Sequence, residues 1–330
     1  MTIDHNKLDS ILFPYSAIKR QSLYAQGGRF VHYTTADAAM KIIARTSFWM
    51  RNMRTMNDFS EIEYGHGELD ACLLNPERKV RFIDALDGLG ANTAQEVLSH
   101  YRDWWRAMHT GTYIACFSEH GDGQEDYLGR LSMWRGYGNK TPSVALIFRP
   151  PTPDSADALN VFMEPVLYNT LPMPLSIDKP NPESKLTKEI DLVIANIVTN
   201  RDYLAGLERK DLLRLLHLPL MFSALTVKHP AFLEEREWRL VYAPYLYHSK
   251  HVIECIQTIA GVPQLVQELK LENHPEDAIN GISFLNLFDR AIIGPSDHAW
   301  SIRDAIVSAL ATSGIEDAEK KVMCSEIPLR

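Results

Sequence analysis

Four short segments set hydrogen-bonding or ionisable residues at the edges of otherwise apolar stretches. They are His32–Thr35 (HYTT), Asn57-Asp58 with Glu61, Met133–Gly138 (MWRGYG) and Glu235–Arg239 (EREWR). A folded core has no need of such groups, whereas a concave site with a few convergent polar groups does. The sharpest signal is EREWR. In a strand, Glu235 and Glu237 face one way while Arg236 and Trp238 face the other. Two like charges on one face are costly unless they bind something or one is solvated. A Glu-x-Glu pair at a strand start can stabilise a developing positive charge. The competing structural reading pairs Glu237 with an arginine, either Arg239 on the same face or Arg135.

The other segments carry weaker chemistry. His32 shares a strand face with Phe30 and could bond a ligand hydroxyl; the commoner arrangement is a core histidine bonded to a backbone carbonyl. Tyr33 and Thr34 adjoin it, and helix capping also accounts for Thr34 and Thr35. Asn57 and Glu61 read as a ligand loop or, equally, as a helix start with Asp58 or Ser60 as cap. Arg51 and Arg54 flank that loop and could hold a phosphate. Trp134 and Tyr137 are i,i+3 neighbours on one helix face, an aromatic pair suited to a flat ring or to core packing. Ser118 and Cys116 end the preceding strand. Cys116 reads as a small buried residue, because its sequence neighbours include no positive partner.

Composition narrows the classes. The chain has 330 residues, 45% hydrophobic and 23% charged, with a net charge of -8. That predicts a globular fold with a sizeable core and no electrostatic footprint for general nucleic-acid binding. No metal is expected: the four cysteines are scattered without CxxC, and HExxH is absent. GxGxxG, GxxxxGK[ST] and GxSxG are absent too, which argues against a dehydrogenase, a P-loop NTPase or an α/β-hydrolase. Free thiols, no signal-like N-terminus and no long apolar run predict a cytoplasmic protein without membrane contact.

The elements that must position these residues follow from periodicity. Strands are expected at 29–34, 47–50, 112–118, 143–148 and 238–243, within 281–295, and as edges at 161–168 and 321–327. Helices are expected at 35–44, 93–108, 128–137, 260–273 and 301–311, with only a short run at 60–67. A helical insert spans 184–224, where Pro219 kinks or ends a turn. Strands and helices without strict alternation predict an α+β fold around a central, mostly antiparallel sheet. The whole chain, 1–330, reads as one domain with its core at 29–295.

Taken in order, HYTT, FWMRNMRTMNDFSE, YIACFSE, LSMWRGYG, KHPAFLEEREWRL and AIIGP resemble DUF2971, a bacterial domain family of unknown function. The order His32, Tyr137, Glu237 is also similar to the ADP-ribosyltransferase superfamily. That second resemblance implies NAD as co-substrate. Under it His32 would bond the ribose, Tyr137 or Trp134 would stack on nicotinamide, and Glu237, with Glu235, would stabilise the oxocarbenium-like cation. It implies a transferase or an NAD glycohydrolase acting on an unspecified acceptor. A non-catalytic nucleotide- or protein-binding effector, in phage defence or stress response, uses the same groups without turnover. A metal-dependent nuclease, with Asp58, Glu61, Glu235 and Glu237 as carboxylates, is the third expectation.

Overall fold

The computed structural model describes residues 4–55, 59–138, 141–152, 158–170, 183–259 and 261–328. Asn57 and Asp58 lie outside them. The chain divides into two compact units, each assembled from three stretches of sequence. One comprises 1–22, 53–111 and 164–233; the other comprises 23–52, 112–163 and 234–330.

The second unit is built on a sheet. Its strands are β1 (Arg29–Thr35), β2 (Ser47–Asn52), β3 (Tyr113–His120), β4 (Ser143–Phe148), β8 (Glu237–Tyr242), β9 (Val252–Ile259), β10 (Val262–Lys270), β11 (Phe288–Ile293) and β12 (Val322–Cys324). Between β4 and β8 the chain forms β5 (Phe162–Pro165), β6 (Leu167–Tyr168) and β7 (Val227–Lys228). The main row runs β12-β11-β4-β1-β3-β2-β10-β9, and β8 joins β3 off this row. Every pair along the row is antiparallel except β11–β12. The fold is therefore α+β around a mostly antiparallel sheet.

Alternation explains why the sheet holds. All six residues of β4 are buried, as befits a central strand covered on both faces. One face gathers Phe30, Phe48, Phe117, Leu146 and Trp238 into a large cluster. The helices Ala36–Arg45 and Ala299–Thr312 bury Ile42, Ile43, Ile306 and Leu310 in it. Thr35 caps the first of these, its hydroxyl accepting from the Ala38 N–H at 3.2 Å. The opposite face carries Val31, Tyr33, Ala145 and Ile147, packed beneath Met133 and Trp134 of the helix Leu131–Gly138.

Three expectations are corrected. Within the helix expected at 260–273, Val262–Lys270 form strand instead, because β10 inserts between β2 and β9. Val262, Leu265, Val266 and Leu269 stand at i, i+3, i+4 and i+7, a helical spacing that pairing on both edges overrides. The helix expected at 128–137 is broken at Gly129 (φ 68) into Glu125–Leu128 and Leu131–Gly138. The short run after Asp58 is a sixteen-residue helix, Phe59–Leu74.

The first unit is helical. The expected insert appears as Lys185–Thr199, Arg201–Ala205 and Arg209–Thr226, and the last of these continues through Pro219. It shares its unit with Phe59–Leu74, Pro76–Asp87 and Thr93–Gly111. A Cβ on Gly65 would overlap the Ala224 carbonyl, so the bare glycine lets two of these helices touch backbone to backbone. That approach sets Glu61 2.9 Å from Lys228, whose side chain is buried.

Candidate functional site

Register places five of the sequence candidates on one sheet face. Val31 pairs with Ser118, Ser118 with Glu237, and Cys116 with Arg239. Directly opposed residues stand on the same face. Cys116, Ser118, Glu237 and Arg239 therefore point the same way as Val31 and Tyr33. Arg51, opposite Ile114, joins them two residues along β3, and its Nε donates to the Gln264 side chain at 3.1 Å. The absence of a positive neighbour for Cys116 is corrected here: Arg239 is its cross-strand partner.

Two charges are buried at the centre of this row. Glu237 is 5% exposed and Arg239 2%. The Arg239 Nε donates to Glu237 Oε1 at 2.8 Å, and an Nη donates to Oε2 at 3.4 Å. The arginine reading of Glu237 thus holds within β8 itself. Burying both ions costs solvation that their attraction only partly repays, so such a pair is seldom kept for stability alone.

The aromatic groups divide. Tyr33 is buried; its hydroxyl accepts from the Arg130 N–H at 2.9 Å, and burial raises its pKa to about 12. Its ring meets Trp134 edge-on at 4.8 Å. Trp134 is 4% exposed and donates its indole N–H to the Leu128 carbonyl at 2.8 Å. A Cβ on Gly129 or Gly294 would strike that indole, so two glycines shape its slot. Tyr137, one turn on, is 47% exposed. The expected Trp134–Tyr137 stacking pair is accordingly split between core and surface.

His32 leaves β1 on the other face. Its ring packs against Phe48 and Phe117 in the large cluster, at 5.7 and 5.4 Å. The β1–β3 register ends at Val31–Ser118, and β2 takes up β3 at Ile114 and Tyr113. His32 fills the fork between them: its Nδ1 lies 2.9 Å from the Cys116 carbonyl. A carbonyl only accepts, so Nδ1 carries the proton. Burial holds the imidazole pKa below its ordinary value despite that bond. His32 and Glu237 therefore do not converge on one cleft, because sheet faces separate them.

Glu235 is also corrected. It closes the 3-10 turn Pro230–Glu235, and Arg236 follows in the left-handed region (φ 43). The strand begins only at Glu237, so strand alternation never puts the two glutamates on one face. Arg130, which the sequence did not single out, fixes this turn. Its guanidinium donates to the carbonyls of Glu234 (2.6 Å), Glu235 (3.1 Å) and Glu119 (2.8 Å) and to the Glu125 carboxylate (2.6 Å). A lone arginine carries no sequence signal for such a role.

In the helical unit Glu61 pairs with Lys228, a buried lysine that likewise had no signal. Thr34 stands in β1 opposite Val144, at the start of the Thr35 cap. Among the described residues, no three His, Cys, Asp or Glu side chains are arranged to hold a metal ion. No helix among them is long and apolar enough to cross a membrane.

With this geometry in view, the most specific motifs, MWRGYG and EREWR, bracket a recognised stretch. Residues 133–240 match DUF2971, a protein family of unknown function. The DUF2971 stretch holds Trp134, Tyr137, Glu235, Glu237 and Arg239. HYTT and the Asn57–Glu61 segment precede it, so the match is shorter than the Phe30–Pro295 span of the motif series. No curated protein and no solved structure matches the chain.

Proposed function

We propose that the protein is a non-catalytic binding module for a nucleotide-class ligand, seated on the sheet face at Ser118, Glu237 and Arg239. The observation that carries this is the 2.8 Å Arg239–Glu237 ion pair within β8. A carboxylate that stabilises an oxocarbenium cation needs its negative charge uncompensated as the cation forms. Arg239 compensates it. The same pair suits binding: a carboxylate accepts ribose hydroxyls, and a guanidinium recognises phosphate. The Ser118 hydroxyl, opposite Glu237 in the register, adds a neutral polar group on that face.

Calorimetric titration with NAD, ADP-ribose, ATP and GTP, alongside a nicotinamide-release assay on NAD, tests this reading. Saturable binding of one of them without release is the expected outcome. Nicotinamide release that disappears in Glu237→Gln would restore the ADP-ribosyltransferase reading. Failure of all four to bind would remove nucleotide recognition.

A further inference from the structure

We propose that β9 is a self-association edge, pairing antiparallel with β9 of a second copy about a two-fold axis at Ile256. β9 is the last strand of the row, and among the described residues no strand pairs with its outer edge. Its eight residues pair with β10 in unbroken register from Val252–Leu269 to Ile259–Val262. Its edge protection is slight: one charge, Glu254, and no proline, lysine or bulge. Ile253 is 49% and Ile256 71% exposed, and Val262 and Leu265 on the neighbouring strand are exposed too. The hairpin thus offers an open ladder and apolar side chains on both of its faces.

The occupant follows from the order of residues. From 253 to 259 the strand reads Ile-Glu-Cys-Ile-Gln-Thr-Ile. About Ile256 this has the same polarity in either direction. An antiparallel two-fold there opposes Ile256 to itself, Cys255 to Gln257, Glu254 to Thr258 and Ile253 to Ile259. Each isoleucine meets an isoleucine. Glu254, the strand's single charge, meets a hydroxyl rather than another carboxylate. Such an isologous contact closes as a dimer and uses up the β9 edge of both copies.

Sedimentation velocity of the full chain at tens of micromolar tests it, with two variants. Wild type is expected to sediment as a dimer. Ile256→Lys, which puts two like charges across the axis, is expected to sediment as a monomer that still unfolds in one cooperative thermal transition. Ile256→Cys is expected to give a disulfide-linked dimer under mild oxidation, while wild type does not, because Cys255 faces Gln257. A monomeric wild type overturns the proposal. So does a dimer that persists in Ile256→Lys, or one that Ile256→Cys fails to cross-link. A foreign strand as the true occupant would appear as the first of these results.

Discussion

Glu237 and Arg239 stand two residues apart on one strand, and each is the other's counter-charge. Arg239→Met should cost about 3–5 kcal/mol, because it removes one partner of a buried ion pair. The double variant Glu237→Met/Arg239→Met should cost far less than the two single changes summed, since it removes both solvation penalties. Denaturant melts of the three variants check this. If the face binds a nucleotide, the double variant folds and no longer binds, which separates site from scaffold. Trp238, next along β8, is 1% exposed, meets Phe30 edge-on at 5.2 Å and donates to the Glu119 carboxylate at 2.9 Å. Trp238→Ala should cost about 3–5 kcal/mol by thermal melt, as large core truncations do.

Elements carry two further predictions. Gly129 ends one short helix at φ 68, and a Cβ there would lie 2.5 Å from the Trp134 ring. Gly129→Ala should cost about 2–4 kcal/mol by urea melt, combining backbone strain with overpacking. On the helix Arg209–Thr226, His217 is buried and has its pKa lowered to about 4, chiefly by burial, with His100 adding repulsion. Its folded pKa lies below the unfolded value, so the neutral ring favours the fold. That contribution is present above about pH 6.5 and is lost as pH falls toward 4, up to about 3 kcal/mol. Burial lowers the pKa of His32 and His120 in the same sense. His217→Leu should therefore flatten the fall of the melting temperature between pH 6.5 and 4.

At the scale of the molecule, the DUF2971 stretch is not a structural unit. It takes β4 and β8 from the sheet, yet β4 needs β1 and β11 beside it and β8 needs β3. Its middle, 164–233, belongs to the helical unit. Residues 133–240 expressed alone should show no cooperative thermal transition by circular dichroism, whereas the full chain should. A net charge of -8 opposes general association with polyanions. Random duplex DNA at about 0.15 M salt should not shift the protein's mobility.

The sequence by itself determined the α+β class, most strands and the helices near 35–44, 93–108 and 301–311 with the 184–224 insert, because those depend on local period and on turn residues near at hand. It also determined the Thr35 cap and offered Arg239 as one of two arginine partners for Glu237, each a matter of neighbours within a turn or along a strand. Only the tertiary structure decided which faces those strands present. His32 and Glu237 parted because a residue's face depends on the register of its strand with others, and β1, β3 and β8 lie far apart in sequence. Val262–Lys270 became strand because β2 and β9 supply hydrogen bonds to both of its edges, which no local spacing encodes. Arg130 and Lys228 emerged only with folding, since their partners come from remote stretches of the chain.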